Sequence, residues 1–224
     1  MFRTSSCARF SHPEVSFVFA ERVPVPGLEK MLLGYFEGQV SRGVQFRPGQ
    51  NIDIGGSILR LFDRGDGALG VRDVGPDGQV AEPESAHRSV MRTWLRQEVC
   101  RSYGLAPEFP GANVVALVCT ATGTSRHALL LKRMAPTDPT DSGWFVGCTD
   151  ESHDHDTAEN LQAVRLSAIP THFPWLDQFF ALPVGTDLVV EMRDRVSVPV
   201  LWHPDRIEPL PGSYVASLNA AARG

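Results

Sequence analysis

Residues 113–120 read NVVALVCT, a nearly continuous apolar run. A short apolar run rich in branched residues and bounded by turn signals predicts a strand, here one buried on both faces. The segment before it, residues 105–111, reads LAPEFPG, and its two prolines and closing glycine interrupt regular structure. We therefore place a boundary there and expect an N-terminal domain over residues 1–108 and a C-terminal domain over residues 109–224.

The rest of the chain alternates short strand patterns with amphipathic helix patterns. Further strands are predicted at residues 15–22, 51–54, 57–62, 68–74, 128–134, 161–169 and 187–192. Helices are predicted at residues 27–42, 86–103, 174–180 and 213–222. The expected fold class is α+β, with two small domains that each hold a mostly antiparallel sheet and one or two packed helices.

Charge is unevenly distributed along the 224 residues, whose formal net charge is -5. Residues 1–110 hold 13 acidic and 13 basic side chains, whereas residues 111–224 hold 13 acidic and 8 basic ones. A weakly acidic chain of this kind is not suited to phosphate backbones, so we expect no nucleic-acid partner.

Four widely spaced cysteines without a CxxC pair indicate a reducing compartment. Polar and charged residues interrupt the N-terminal segment, and no apolar run approaches the roughly 20 residues of a membrane span. We therefore expect a cytoplasmic protein with no membrane partner and no cofactor. The sequence leaves the oligomeric state open.

The most unusual stretch lies between Arg133 and Arg165, which contains no lysine or arginine. Its seven carboxylates are Asp138, Asp141, Asp150, Glu151, Asp154, Asp156 and Glu159. Such a stretch creates a negative field suited to a basic partner or a cation. The alternative is a solvated acidic loop that only aids solubility.

Catalytic patterns are weak. The chain has neither a GxSxG elbow nor an HExxH motif. Cys148 lies near His153, but a nucleophilic cysteine needs a base placed in space. His153, Asp154 and His155 offer metal-binding groups, but alternating neighbours seldom converge on one ion without further ligands. We therefore expect no catalytic and no metal site; the alternatives are a small metal-dependent hydrolase that uses these three residues, or a regulatory scaffold.

Several short motifs follow one another in the second half of the chain. They are Arg133-Met-Ala-Pro136, Asp141-Ser-Gly-Trp144, Gly147, Asp150-Glu151, Asn160-Leu161, Ile169, Pro174, Leu176 and Leu182-Pro-Val-Gly-Thr186. In this order they resemble immunity-protein family 33 of bacteria. The Asp141-Ser-Gly-Trp144 and Pro183-Val-Gly-Thr186 blocks at this separation are fairly specific together, and the resemblance covers roughly residues 112–192. The first half of the chain resembles, more loosely, the N-terminal region of longer proteins of this kind.

The resemblance implies a protein that binds and neutralises a cognate secreted toxin, often a type VI secretion effector. It implies no enzymatic activity. We expect the segment from residue 141 to residue 159 to be a loop in the contact surface, with tryptophan as an anchor and acids as charge partners. The candidate toxin-binding residues are Asp141, Trp144, Asp150, Glu151, His153, Asp154, His155, Asp156 and Glu159.

Overall fold

A computed structural model describes residues 1–22, 25–81, 84–123, 128–150, 152–193 and 195–223. The chain divides into two compact units, Met1–Trp94 and Leu95–Gly224. The division falls within the helix His87–Ser102. The boundary predicted after residue 108 lies beyond that helix, in a segment without regular structure. As a boundary between two separately folding domains, it stays a prediction.

The first unit contains a mixed five-stranded sheet. Its strands are β1 (Phe2–Arg3), β2 (Val15–Phe17), β3 (Asn51–Ile54), β4 (Ser57–Asp63) and β5 (Leu69–Asp73), in the spatial order β1-β2-β5-β4-β3. The β2–β5 pair is parallel and the other described pairs are antiparallel. Alternation of buried and partly buried residues along β4 shows why this segment forms a strand with one face on the core.

Two helices accompany this sheet in sequence. Helix α1 (Glu29–Ser41) buries Leu32, Phe36 and Val40, which recur every four residues and so lie on one helical face. Helix α2 (His87–Ser102) begins beside Asp73, whose two carboxylate oxygens accept hydrogen bonds from the backbone of Arg88 and Ser89 at 2.9 and 3.0 Å. A side chain from a neighbouring strand thus satisfies backbone donors that every helix leaves free at its start.

The second unit contains a mixed six-stranded sheet. Its strands are β6 (Val115–Cys119), β7 (Ala128–Arg133), β8 (Asp141–Cys148), β9 (Leu161–Arg165), β10 (Asp187–Arg193) and β11 (Val196–Trp202), in the spatial order β11-β10-β7-β8-β6-β9. The β6–β8 pair is parallel and the other described pairs are antiparallel. The short helix α3 (Ile169–His172) and a 3-10 segment (Pro174–Phe179) lie between β9 and β10, and helix α4 (Tyr214–Ala221) follows β11.

The predicted α+β class with two small parts is confirmed by these two sheets and their helices. Three strands were not predicted. The first is β1, which is only two residues long. The second is β8, because the acids at both ends of its sequence favoured a loop. The third is β11, whose Pro199 is unusual inside a strand but is tolerated because β11 lies at the sheet edge.

Strand β6 differs from the sequence prediction in one respect. It is not buried on both faces, because Leu117 at its centre is 41% exposed. Ala116 and Val118, on the opposite face, belong to the main core of this unit. The sheet therefore has one face on the core and one face that is at least partly open at β6.

No helix in the described part of the chain combines the length and apolar character that a bilayer crossing requires.

Candidate functional site

Two buried cysteines end neighbouring parallel strands of the second unit. Cys119 is the last residue of β6, and Cys148 is the last residue of β8. Because these strands are parallel, with Val118 opposite Val146, their carboxyl ends meet at the same edge of the sheet. The two sulfur atoms consequently lie 3.8 Å apart.

The chain then turns back over this edge. Residues 149–160, which we call the acidic loop, join β8 to β9, where Leu161 pairs with Cys119. His155 of the loop reaches the cysteines, since its Nε2 lies 3.3 Å from the sulfur of Cys148. Its ring also packs on Phe145, with the ring centroids 5.4 Å apart.

Gly147 makes this approach possible. A Cβ atom at this position would lie 2.6 Å from a ring carbon of Phe145 and 3.4 Å from Nε2 of His155. The first distance is well inside van der Waals contact, so a larger residue would displace the ring on which His155 rests. The glycine of the sequence motif therefore serves the packing of this site.

His153 completes the cluster. Its ring lies against that of His155, with centroids 5.1 Å apart, and its Nε2 is buried without a hydrogen-bond partner. One potential ligand atom from each of Cys119, Cys148, His153 and His155 lies within 4.8 Å of all the others. We call these four residues the Cys2His2 cluster.

Burial keeps the Cys148 thiol protonated. Desolvation is the largest cause that raises its pKa above the ordinary value, and the nearby Cys119 adds to it. A thiol with a raised pKa is a poor nucleophile at neutral pH.

The acidic loop separates its histidines from its acids. His153 and His155 are partly buried, whereas Asp150, Asp154 and Asp156 are exposed. Residues 152–156 form a turn and bends, and this local conformation buries the two histidines in part while it leaves the aspartates exposed. Glu159 is exposed as well.

The loop acids are held by local hydrogen bonds. Ser152 donates its hydroxyl and backbone N–H to Asp150, at 2.7 and 2.9 Å, and these bonds lower the pKa of Asp150. The hydroxyl of Thr157 and the backbone N–H of Asp156 do the same for the carboxyl of Asp154. Both carboxyls are therefore charged at neutral pH.

This geometry corrects the metal-site alternative that the sequence offered. Asp154 faces outward and accepts hydrogen bonds from its own loop, so it does not join His153 and His155. The groups that join the histidines are the two cysteines. Sequence analysis missed them as partners, although the spacing of Cys148, His153 and His155 was a signal; the contribution of Cys119 depends on strand pairing.

Asp141 and Trp144 lie elsewhere than expected. Both belong to β8, so the stretch from residue 141 to residue 148 is a central strand and not a loop. Trp144 is 1% exposed and its indole N–H donates to the carbonyl of Phe180 at 3.1 Å. Its side chain is part of the core and offers no surface to a partner. Glu151 lies outside the described residues, and the toxin-binding role of the candidates stays a prediction.

The Asp141-Ser-Gly-Trp144 block forms an irregular start of β8, where the register with β6 shifts. Asp141 accepts hydrogen bonds from Thr137 at 2.9 Å and from Gly143 at 2.7 Å. Gly143 has φ +71°, and a Cβ there would lie 2.1 Å from the carbonyl oxygen of Met134. Met134 also donates its backbone N–H to the carbonyl of Gly143 at 2.8 Å, so the two backbone segments are held together.

The Leu182-Pro-Val-Gly-Thr186 block meets the same segment of chain. Gly185 donates to the carbonyl of Arg133 at 2.8 Å, and Arg133 donates to the carbonyl of Thr186 at 2.7 Å. Gly185 has φ +87°, a conformation that favours glycine. Three of the motif blocks, which contain Arg133, Gly143 and Gly185, therefore meet at the end of β7.

An open pocket of about 520 Å³ adjoins the Cys2His2 cluster. Its lining residues are Ala128, Leu130, Cys148, Thr149, Asp150, His153, His155, Val189 and Glu191. It connects the cluster with the surface of the unit.

Comparison with known proteins identifies the domain. The family model for the Imm33-like domain matches residues 95–199, which lie within the second unit. Residues 95–199 thus match the Imm33-like domain, as the motif resemblance predicted. No curated protein matches the chain. No solved structure matches it either.

Proposed function

We propose that this protein, whose residues 95–199 form an Imm33-like domain, is an immunity protein that binds a cognate secreted toxin and occludes its active site or substrate surface. The protein acts by stoichiometric binding and has no turnover of its own. Its cysteines are free and buried, which suits action in the reducing cytoplasm of the producing cell.

The observation that carries the proposal is the outward array of carboxylates on the acidic loop. Asp150, Asp154, Asp156 and Glu159 are exposed on one short segment. None of these four forms an ion pair with another of the residues that the structure describes. Their charge is therefore available to a partner.

A basic toxin surface is the complement of this array. Toxins that cleave nucleic acid or nucleotides need a positive active site, and a carboxylate array can occupy the positions of the phosphates. Such charge complementarity mainly accelerates association, and that acceleration weakens as salt screens it.

An apolar contact lies next to the acids. Leu117 is 41% exposed and pairs in register with Phe145, on which the ring of His155 rests. Leu117 therefore replaces Trp144 as the apolar anchor that we assign to the contact surface. A buried apolar centre with a charged rim is the usual arrangement of a tight interface.

The first experiment identifies the partner. The gene beside this one is co-expressed with it, and growth and complex formation are measured. We expect the neighbouring gene product to arrest growth when it is expressed alone. Co-expression of this protein should restore growth, and the two proteins should copurify as a complex. From the family association we propose type VI secretion as the route. Deleting the secretion apparatus and assaying the killing of kin cells that lack this protein tests that route.

The second experiment tests the loop. The variant D150N/D154N/D156N/E159Q removes four charges, and the variant D77N/D187N/D205N/E208Q removes four exposed charges elsewhere. We expect the loop variant alone to slow association with the toxin about 10-fold or more at low salt. Equal rates for both variants would exclude the acidic loop from the interface.

A further inference from the structure

We infer that Cys119, Cys148, His153 and His155 bind a zinc ion that ties the acidic loop to the ends of β6 and β8. This site goes beyond the proposed toxin contact and does not depend on it. It concerns the inner side of the loop, whereas the toxin contact concerns the outer carboxylates.

The donor set fits zinc. Thiolate and imidazole are the groups that structural zinc sites use most, in tetrahedral sets such as Cys2His2. Bond lengths of about 2.3 Å to sulfur and about 2.0 Å to nitrogen place two sulfurs about 3.8 Å apart and sulfur and nitrogen about 3.5 Å apart in a tetrahedron. The sulfurs of Cys119 and Cys148 lie 3.8 Å apart, and the sulfur of Cys148 lies 3.3 Å from Nε2 of His155.

Burial supplies an independent argument. The Nε2 atom of His153 is buried and has no hydrogen-bond partner. Leaving a buried polar group unsatisfied costs about 1–3 kcal/mol, and a metal bond to this nitrogen removes the cost. His153 comes from the loop and the cysteines from the sheet, so one ion satisfies groups from both.

The charges also balance. When zinc binds, each cysteine thiol transfers its proton to solvent and its sulfur lone pair to the metal. Two thiolates neutralise the divalent cation, and the two imidazoles bind as neutral ligands. The buried site therefore carries no net charge, which limits the cost of desolvating it.

Four protein ligands close the coordination shell. Catalytic zinc sites keep a position for water or substrate, whereas structural sites are filled by the protein. The cluster thus favours a structural ion, and this distinguishes it from the hydrolase alternative. The adjoining pocket, which is lined by Cys148, His153 and His155, gives the ion a route from solvent.

The first measurement uses the wild-type chain. The protein is produced without a histidine tag in zinc-supplemented medium, and metal content is measured by mass spectrometry. We expect zinc in equimolar amount with the chain. After removal of the metal, added Co²⁺ should give the visible ligand-field bands of a tetrahedral site and a thiolate charge-transfer band.

Matched variants test the ligands. Cys119→Ser and His153→Asn should lose the equimolar zinc and the cobalt spectrum. Cys7→Ser and His172→Asn change a cysteine and an exposed histidine outside the cluster, and should keep both. Circular dichroism establishes that each variant is folded.

A measurement on the unaltered chain protects the test against misfolded variants. A mercurial reagent that blocks thiols should release the zinc, which a chromogenic chelator then detects. Wild-type protein that contains no zinc after growth in supplemented medium, and gives no tetrahedral cobalt spectrum, would overturn the inference. A disulfide between Cys119 and Cys148 in freshly purified protein would overturn it as well.

Discussion

The indole N–H of Trp144 donates a hydrogen bond to the backbone carbonyl of Phe180 at 3.1 Å, and the two rings meet edge to face with centroids 5.5 Å apart. This contact joins the centre of β8 to the end of the 3-10 segment. It also explains why a tryptophan flanked by acids in sequence is a core residue in the fold.

Replacing Trp144 should therefore damage stability first. We expect Trp144→Ala to lower the free energy of unfolding by about 3–5 kcal/mol, because a large buried ring is lost and a carbonyl is left unpaired. Urea denaturation followed by circular dichroism measures the change. Trp202→Ala is the control. Because Trp202 is 47% exposed, its replacement should lower the free energy of unfolding far less. Loss of toxin binding by Trp144→Ala without a loss of stability would contradict the core assignment.

Gly143 and Gly185 form a matched pair for testing the backbone geometry of the motif blocks. Both have positive φ, of +71° and +87°, but only at Gly143 would a Cβ meet a neighbour, the carbonyl oxygen of Met134 at 2.1 Å. Gly185→Ala should cost about 1–2 kcal/mol from backbone strain alone. Gly143→Ala should cost about 4 kcal/mol or more, because the backbone must also move. Equal midpoints of thermal unfolding for the two variants would argue against the close approach of the Met134 carbonyl to Gly143.

Asp141 should contribute to acid unfolding. Burial by itself raises the pKa of its carboxyl, but the hydrogen bonds from Thr137 and Gly143 outweigh this and lower it. A carboxyl whose pKa is lower in the folded state stabilises the protein fully above its unfolded pKa of about 4. That stability is lost as the pH falls from there through the folded pKa.

We therefore expect Asp141→Asn to lower the free energy of unfolding at pH 7 by about 1–3 kcal/mol, since a charged acceptor is replaced by a neutral one. Below pH 4 the difference from the wild type should shrink. Urea titrations at a series of pH values measure it. A difference that stays constant down to the acid transition would show that hydrogen bonding to the charged carboxylate is not the cause.

Arg96 should be essential to the second unit. It is 3% exposed, and its guanidinium donates to the carboxylate of Asp177 at 2.7 Å and to the carbonyl of Asp177 at 3.0 Å. We expect Arg96→Ala to lower the free energy of unfolding by about 1.5–3 kcal/mol, because the hydrogen bonds from a buried guanidinium to the partly buried Asp177 are lost. Chemical denaturation measures it, with the exposed Arg101→Ala as control. A cost below 1 kcal/mol would be incompatible with this pairing.

The inferred zinc ion should control the order of the acidic loop. The loop has no lysine or arginine, so trypsin cannot cut it, but a glutamate-specific protease can cut after Glu159. We expect chelation to accelerate this cleavage several-fold and added zinc to reverse it, because the ion links the loop to the sheet. Cleavage after the exposed Glu208 is the internal control and should not change. An unchanged rate of cleavage after Glu159 would show that the metal does not order the acidic loop.

Much of the fold was predictable from local patterns. The helices α1 and α2 and the strands β3, β4, β5, β7 and β10 lie where apolar periodicity predicts them, to within a few residues. Prediction failed at β8, because turn residues and acids at its ends resemble a loop. No local pattern predicts the burial of Arg96 either, because its partner Asp177 lies 81 positions further along the chain.

By itself the sequence determined the α+β class, the Imm33-like motifs and the concentration of carboxylates between residues 133 and 165. These features depend on residues that are close in sequence, and their periodicity and charge can be recognised without knowledge of the fold. Only the tertiary structure decided that Trp144 is buried, that the loop turns its acids outward and its histidines inward, and that Cys119 meets Cys148. The physical reason is strand pairing: a parallel pair brings together the ends of β6 and β8, which are far apart in sequence, and no local pattern encodes that register.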